Sequence, residues 1–406
     1  MKYAVVTFGC RVNQADSLGF EEELLARGAS AVAPEDADLV LVNTCSVTAT
    51  ADQGARQTIR RIARDNPGVR IVATGCYATR RPDEVRALPN VVRVVPNDEK
   101  PKTVALLSTD FGLTTAVRFG EGEGSCGSPI EPGVAGRTAF TLRVQTGCAE
   151  SCSYCIIPAT RGRPRSVPVD EVLAQIERVV SAGFKEIALT GVHLGSYGRD
   201  IGTSLVELLV RLKADATYRI SSLEPNDCTR EIVDLVAAGK PFAPHFHLPL
   251  QHASNRMLTA MRRPYSIEYY AALVDDIRGR IPHASIGSDV IVGFPGETDE
   301  DFEQLANYLE RSPLTHVHVF PYSDRPGTDA TSMRGKVPGA VIRDRGRRVR
   351  EIAQRLAQRF RESQAGTIRP ALTIDDGTVA VTDNYLRVRI PPGHRRNESL
   401  EVVVTS

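Results

Sequence analysis

Short apolar runs alternate with helical patterns along this chain, in two series separated by a glycine-, serine- and proline-rich stretch. In the first hundred residues the runs Tyr3–Phe8, Ala37–Asn43 and Val69–Thr74 are each followed by a helical pattern, at Asp16–Ala26, Ala51–Arg64 and Pro82–Leu88. Such alternation commits a chain to a parallel sheet with helices on its faces. From Asp98 to Arg137 the pattern fades, and GEGEGSCGSPIEPG (residues 120–133) reads as a linker or covering segment. The second series has strand-like runs at Ala139–Gln145, Glu186–Thr190, Tyr218–Ser222, His245–Leu250, Ser285–Val292 and His316–Phe320. Helical patterns such as Val169–Ala182 and Asp299–Arg311 lie between them. Roughly six βα units are fewer than a closed eight-fold barrel requires, so a partial barrel, open on one side, is expected. Beyond it come a basic helical stretch, Arg343–Arg361, and the β-like runs ALTI, TVAVT, YLRVRI and LEVVVT.

The expected class is α/β. It comprises an open parallel α/β sheet domain over 1–100, a linker over 101–137 and a partial (βα)6 barrel over 138–340. A basic connecting helix over 341–365 and a small β-domain over 366–406 complete it. The formal net charge is +1, so any nucleic-acid binding must come from local charge. No apolar run approaches the roughly 20 residues of a membrane span. Met-Lys-Tyr leads straight into a strand without a signal-like region. A cytoplasmic protein with no membrane partner is the expectation, and there thiols stay reduced. Eight cysteines in that setting point to metal binding or reactivity rather than to disulfides.

Seven of the eight fall at telling places. Cys10, Cys45 and Cys76 follow the first three strands, and ligands collect beyond the carboxyl ends of an open parallel sheet. Three thiols delivered to one crevice make a metal site plausible, although their separation in sequence is long. Cys148, Cys152 and Cys155 form a compact CxxxCxxC after the first barrel strand. A [4Fe–4S] cluster usually takes four protein ligands, so three leave one iron open to a substrate or cofactor. Tyr154 would lie beside whatever binds that iron. Zinc is the alternative, but zinc sites build on paired CxxC or His sets. Only His193, His245, His247 and His252 could complete one, if the barrel gathers them. Cys126 reads as a stray linker thiol, and Cys228 lies outside both sets.

CxxxCxxC with an aromatic before its last cysteine resembles the signature of radical S-adenosylmethionine enzymes. FGCRVNQADS, VNTCSVT and ATGCY resemble the N-terminal domain of the methylthiotransferases, a branch of that superfamily. The likeness runs through nearly the whole chain, the last β-domain being TRAM-like. It implies contacts to S-adenosylmethionine from Gly191 in TGVHLGSYGRD, from Ser222 and Glu224 in RISSLEP, and from Gly293 in DVIVGFPGET. Arg161, Arg163 and Arg165 could neutralise a carboxylate or phosphate, or form an exposed basic loop. NTCSVTATADQGARQTIRR and TGVHLGSYG resemble the subgroup that modifies threonylcarbamoyl-adenosine in tRNA. Gly54-Ala55 and Gln251-His252-Ala253-Ser254 depart from that subgroup's usual Lys-Ser and Gln-Ser-Gly-Ser.

The resemblance implies two [4Fe–4S] clusters and S-adenosylmethionine as cofactors. The cluster on Cys148, Cys152 and Cys155 would generate a 5′-deoxyadenosyl radical. That on Cys10, Cys45 and Cys76 would carry the sulfur destined for carbon 2 of adenosine 37. An electron-donor protein and a sulfur source are implied partners. Asn13 would orient the second site or cap a helix. Candidate RNA contacts are Arg56, Arg60 and Arg64 on one helix face, and Arg343 and Arg347 in the patch that also holds Arg345, Arg348 and Arg350. Tyr385 and Arg387 in the β-domain join them. Isopentenyl-adenosine or a ribosomal protein are alternative substrates, and a non-catalytic metal-binding RNA module is an alternative of another class.

Overall fold

The computed structural model describes residues 1–111, 132 and 138–405; Cys126 and most of the 101–137 linker lie outside the described residues. The chain forms two compact units. The first takes in residues 1–111 with Thr146–Glu150 and Cys155–Arg163. The second holds residues 138–145, Ser151–Tyr154 and 164–405.

In the first unit a parallel sheet has the strands β1 (Lys2–Thr7), β2 (Ser30–Ala31), β3 (Leu39–Thr44), β4 (Arg70–Gly75) and β5 (Val91–Val95), in the order β2-β1-β3-β4-β5. The central strand β3 is buried along its whole length. Because side chains alternate across a strand, Leu39 and Leu41 join Tyr3, Leu24, Val72 and Val104 on one face. Val40 and Val42 join Ile59, Ile62 and Ile71 on the other. Helices α1 (Arg11–Ala26), α2 (Ala49–Asp65), α3 (Cys76–Arg80), α4 (Pro82–Arg86) and α5 (Thr103–Phe111) complete the unit. Helix α1 starts five residues before the apolar periodicity suggests. Asn13, Asp16 and Ser17 are buried polar residues and interrupt the pattern that would reveal its first turns. Strand β5, VVRVV, escapes the sequence reading because it is an edge strand with a mostly half-exposed, non-alternating pattern.

The second unit contains six parallel barrel strands: β6 (Phe140–Arg143), β9 (Glu186–Thr190), β10 (Thr217–Ile220), β11 (His245–His247), β12 (Ser285–Val292) and β13 (His316–Pro321). The two-residue strands β7 (Gln145–Thr146) and β8 (Arg165–Ser166) flank the cysteine loop in sequence. One ladder runs β10-β9-β6 and another β11-β12-β13. They adjoin where Leu223 N donates to His247 O at 3.0 Å and Tyr218 bridges Phe242. Helices α6 (Ile157–Arg161), α7 (Val169–Ser181), α8 (Leu205–Val210), α9 (Arg230–Ala237), α10 (Asn255–Ala260), α11 (Ile267–Arg280) and α12 (Asp299–Arg311) fall between the strands in sequence. Thr298 and Asp301 form a reciprocal capping box on α12. A 26-residue helix, α13 (Gly339–Gln364), then leads to an antiparallel sheet of β14 (Ile368–Ile374), β15 (Val379–Thr382), β16 (Arg387–Arg389) and β17 (Ser399–Val403).

The turn after β15 fastens this last sheet to the starts of the barrel strands. Asn384 is fully buried and donates to His283 O and to Gln364 Oε1, both at 3.0 Å. Arg219 of β10, 1 % exposed, pairs with Glu186 at 2.8 Å and donates to the carbonyls of Thr382 (3.0 Å) and Asp383 (2.6 Å). Tyr385, at φ +74°, lays its ring over the Arg219 guanidinium, 4.7 Å away, and beside the His245 ring at 4.9 Å. Truncating Asn384 strands two buried acceptors, each worth about 1–3 kcal/mol when left unpaired. Asn384→Ala is therefore expected to destabilise the protein by about 2 kcal/mol or more, read as a lower urea midpoint. An unchanged midpoint would show that the turn does not hold the sheet.

Candidate metal centres

Parallel neighbours end on the same side, so the carboxyl ends of β1, β3 and β4 adjoin. Each is followed by a cysteine. Cys10 is the N-cap residue of α1, Cys45 follows the last residue of β3, and Cys76 opens α3. Cys10 is exposed; Cys45 and Cys76 are buried. Two glycines let the thiols converge. Gly9 has φ +88°, and a Cβ there would fall 2.4 Å from Cys45 Sγ. Gly75 has φ +96°, and a Cβ there would fall 2.2 Å from the Thr44 carbonyl oxygen. An L side chain fits neither position. Burial pushes the Cys45 thiol up to about 11. The Val47 backbone N–H pulls against it, and Cys10, Cys76 and Asp52 push further.

Asn13 clamps this edge. Its amide donates to Phe8 O (2.8 Å) and Thr44 O (2.9 Å), the carbonyls that precede Gly9-Cys10 and Cys45. The helix-capping reading of Asn13 is thus corrected: Cys10 is the N-cap, and Asn13 lies inside the first turn with its side chain turned to the strand ends. Thr44 Oγ1 donates to Thr74 O at 2.6 Å and accepts from Ala78 N at 3.1 Å, tying β3 to β4 and α3. Asn97 donates to Thr160 O (2.8 Å) and reaches Cys76 Sγ at 3.7 Å.

Three charges lie beneath the thiols. Asp16 pairs with Lys100 at 2.8 Å and with Arg161 at 3.4 Å, and all three are buried. Arg161 also donates to Asn13 Oδ1. Burial pulls Arg161 down, but Cys76, Asp16 and Cys10 outweigh it and hold the guanidinium above its ordinary value. Burial lowers Lys100, against the pull of Asp16. Two cationic groups against one carboxylate favour negative charge on the sulfurs. Lys100 and Asp16 escape sequence reasoning because a lone Lys and a lone Asp carry no spacing signal. Arg163 and Arg165, unlike Arg161, are exposed.

The CxxxCxxC loop is held at separate points. Gly147, at φ +78°, has the Arg163 carbonyl oxygen 1.9 Å from its would-be Cβ, and Cys148 N donates to Gly162 O at 3.1 Å. Ser153 donates from its backbone to Met261 O (3.2 Å) and from its hydroxyl to Ala260 O (2.8 Å). Arg263 Nη1 reaches Cys152 Sγ at 3.2 Å, and the same guanidinium pairs with Glu224 and with Tyr265 Oη. Arg263 joins a loop thiol to the carboxylate expected to face S-adenosylmethionine, and was not foreseen. Its signal, Arg-Arg-Pro after a short helix, is weak. Tyr154 meets Phe294 edge-on at 6.4 Å, within an apolar cluster holding Met257 and Met261.

Ser222 is exposed. A Cβ on Gly191 would come 2.9 Å from Gln145 Oε1, which accepts from His193 N at 2.9 Å. The close approach that Gly293 permits is taken by Ile342 of α13, 2.4 Å from its would-be Cβ, while its N–H donates to Glu297. His193 pairs with Asp227 at 2.7 Å, and His252 is buried and accepts from Ser254 N through Nδ1, so neither joins a cysteine set. Burial raises the Cys228 thiol to about 12, which leaves it inert.

The basic patches prove partly internal. Arg345 is buried against Glu297 (3.1 Å) and Asp299 (2.7 Å), and Arg348 pairs with Glu303. Arg347 is exposed between Asp344 and Glu351; Arg343 and Arg350 are exposed. Arg56 bonds Tyr77 Oη at 3.0 Å, whereas Arg60 and Arg64 are exposed. Arg387 is exposed, 3.7 Å from Asp375, and Tyr385 is 42 % exposed.

A six-strand parallel partial barrel following an open parallel α/β unit defines the radical S-adenosylmethionine class, and residues 142–309 match the radical SAM superfamily model. Residues 2–96 match uncharacterized protein family UPF0004. Among solved structures, the radical S-adenosylmethionine methyltransferase TsrM from Kitasatospora setae aligns with TM-score 0.57 and 16 % identity, over 81 % of this chain and 76 % of that one. Among curated proteins, the threonylcarbamoyladenosine tRNA methylthiotransferase MtaB of Aquifex aeolicus is 37 % identical over 96 % of both chains. That of Bacillus subtilis is 34 % identical over 94 % of this chain and 88 % of its own. The tRNA-2-methylthio-N(6)-dimethylallyladenosine synthase of Carboxydothermus hydrogenoformans is 33 % identical over 91 % and 87 %. The chain belongs to the radical S-adenosylmethionine methylthiotransferase family.

In reduced, metal-free protein Cys45 alkylation should be slow at pH 8, where about one thiol in a thousand is ionised. The rate should climb tenfold per pH unit toward about 11. Exposed Cys10 should react first, as peptide mass spectrometry of iodoacetamide adducts would read. Equal rates at pH 8 would contradict the buried placement.

Proposed function

We propose that this chain transfers a methylthio group to carbon 2 of N6-threonylcarbamoyladenosine at position 37 of tRNA. The observation that carries the reading is the convergence of Cys10, Cys45 and Cys76 at three adjoining strand ends, in a chain that also holds CxxxCxxC. The donor set fits iron–sulfur chemistry: three thiols, a Cβ-free approach at Gly9, and an excess of buried positive charge from Arg161 and Lys100 over Asp16. Zinc would want a fourth N or S ligand, and none joins these thiols among the described residues. The N-terminal triad and the triad Cys148, Cys152 and Cys155 would each hold one [4Fe–4S] cluster with an open iron.

When bound, the clusters and S-adenosylmethionine supply an electron, a carbon-centred radical and the methylated sulfur. The chain's own share is orientation. Arg263 fixes Glu224 beside Cys152, so that a cofactor's ribose or amino group meets a carboxylate already in place. Ser222 and Gly191 would offer further polar and backbone contacts. Tyr154, held by Phe294, shields the loop from water. Arg60, Arg64, Arg343, Arg347 and Arg387 are exposed cations suited to phosphate contacts, with Arg56 and Tyr385 at the margins of the same role. One electron per radical and one sulfur per product must come from outside, so an electron-donor protein and a sulfur source are required partners.

The relatives named for threonylcarbamoyladenosine include the most identical of those compared, at 37 %, which favours that substrate over dimethylallyladenosine. Mass spectrometry of tRNA nucleosides from cells lacking the protein should show loss of the methylthio form of threonylcarbamoyladenosine alone. Loss of the dimethylallyl form instead would replace the substrate, and unchanged tRNA would refute the reading. Anaerobically prepared protein should hold about eight irons per chain, falling to about four when Cys10, Cys45 and Cys76 are all changed to Ala.

A further inference from the structure

Three histidines on neighbouring barrel strands form a constellation that the cysteine chemistry does not use. His247 of β11 pairs in register with Gly287 of β12, and Gly287 with His316 of β13; Asp289 pairs with His318. Positions 247, 287, 289, 316 and 318 share one face of the sheet by the two-residue alternation of strands. The middle position carries no side chain, and His316 fills that space. A Cβ on Gly287 would lie 2.0 Å from His316 Nε2. The His316 ring therefore crosses the central strand toward His247. The three ring centroids stand 6.0, 5.9 and 5.7 Å apart, close to an equilateral triangle. One imidazole nitrogen from each lies within 4.8 Å of the others.

Outer contacts already orient two of the rings. His247 Nε2 lies 3.1 Å from Asp289 Oδ1. His316 Nδ1 lies 3.0 Å from Thr315 Oγ1, itself fixed by the backbone N–H of Ile286 at 3.0 Å. A carboxylate or hydroxyl behind a ligating imidazole is the arrangement that fixes ring orientation in metal sites. His247 and His316 are half-buried and His318 is exposed, so an ion can reach the set from solvent.

We propose that His247, His316 and His318 bind a divalent transition cation of the zinc type, with Asp289 supporting His247 and a fourth position open to water or a substrate oxygen. Three imidazoles around an open position form a recognised zinc ligand set, and the nitrogen donors separate it from the thiolate triads, which select iron–sulfur clusters. A carboxylate at the rim favours a cation over an anion. The assignment stands independently of the methylthio-transfer reading.

The test loads the iron-replete protein with Zn2+, removes excess by gel filtration, and measures zinc and iron by mass spectrometry. About one zinc per chain is expected. His318→Ala, a change at the exposed member, should weaken zinc binding at least tenfold with iron content unchanged, and His318→Asp should restore part of it. X-ray absorption at the zinc edge should read nitrogen and oxygen neighbours. Sulfur neighbours, absence of zinc, or binding unaltered in His318→Ala and in the His247→Ala/His318→Ala pair would each overturn the proposal.

Discussion

Parallel pairing of β1, β3 and β4 is the constraint on which the N-terminal chemistry depends. It brings three chain segments, separated by more than thirty residues each, to one edge. Pairing alone places the cysteines near one another; Asn13 makes their spacing definite. One amide spans the carbonyls before Cys10 and Cys45, while Thr44 binds the turn that presents Cys76. Gly9 and Gly75 supply backbone conformations that no other residue holds without strain. A sheet strong enough to bury β3 on both faces thus supports a site built wholly from its loops.

Charge follows from that geometry. Buried thiols resist ionisation, as Cys45 shows, so a metal must displace protons to bind there. The Asp16, Lys100 and Arg161 cluster offsets this cost. Arg161 comes from the helix that follows the CxxxCxxC loop, yet it is part of the same compact unit as Cys10 and Cys76. The residue after the radical-type motif therefore serves the other triad. Arg263 acts in a corresponding way for Cys152 and Glu224.

Much of this was legible in the sequence. The alternation of apolar runs gave the strands Glu186–Thr190 and Ser285–Val292 and the helix Asp299–Arg311 at the bounds observed. What escaped did so for physical reasons. The start of α1 is buried through polar residues that bind strand-end carbonyls, and β5 is an edge strand with no clean period. Arg345 read as part of a basic surface, whereas Glu297 and Asp299 draw it inside, and charge runs do not announce their partners. The histidine triangle was invisible because only strand register relates positions 247, 316 and 318, although the first of these was already a candidate ligand. A signal does exist for the cysteines: Gly9-Cys10, Gly75-Cys76 and Gly147-Cys148 repeat one dipeptide, with a positive-φ glycine before each thiol.

The central claim is a division of labour, in which Cys148, Cys152 and Cys155 make the radical and Cys10, Cys45 and Cys76 deliver sulfur. Incubation with tRNA deuterated at carbon 2 of the target adenosine tests it most directly, with 5′-deoxyadenosine weighed by mass spectrometry. The account predicts one deuterium in 5′-deoxyadenosine from the intact enzyme and none formed by Cys148→Ala. 5′-Deoxyadenosine that carries no deuterium while the methylthio product accumulates would contradict it.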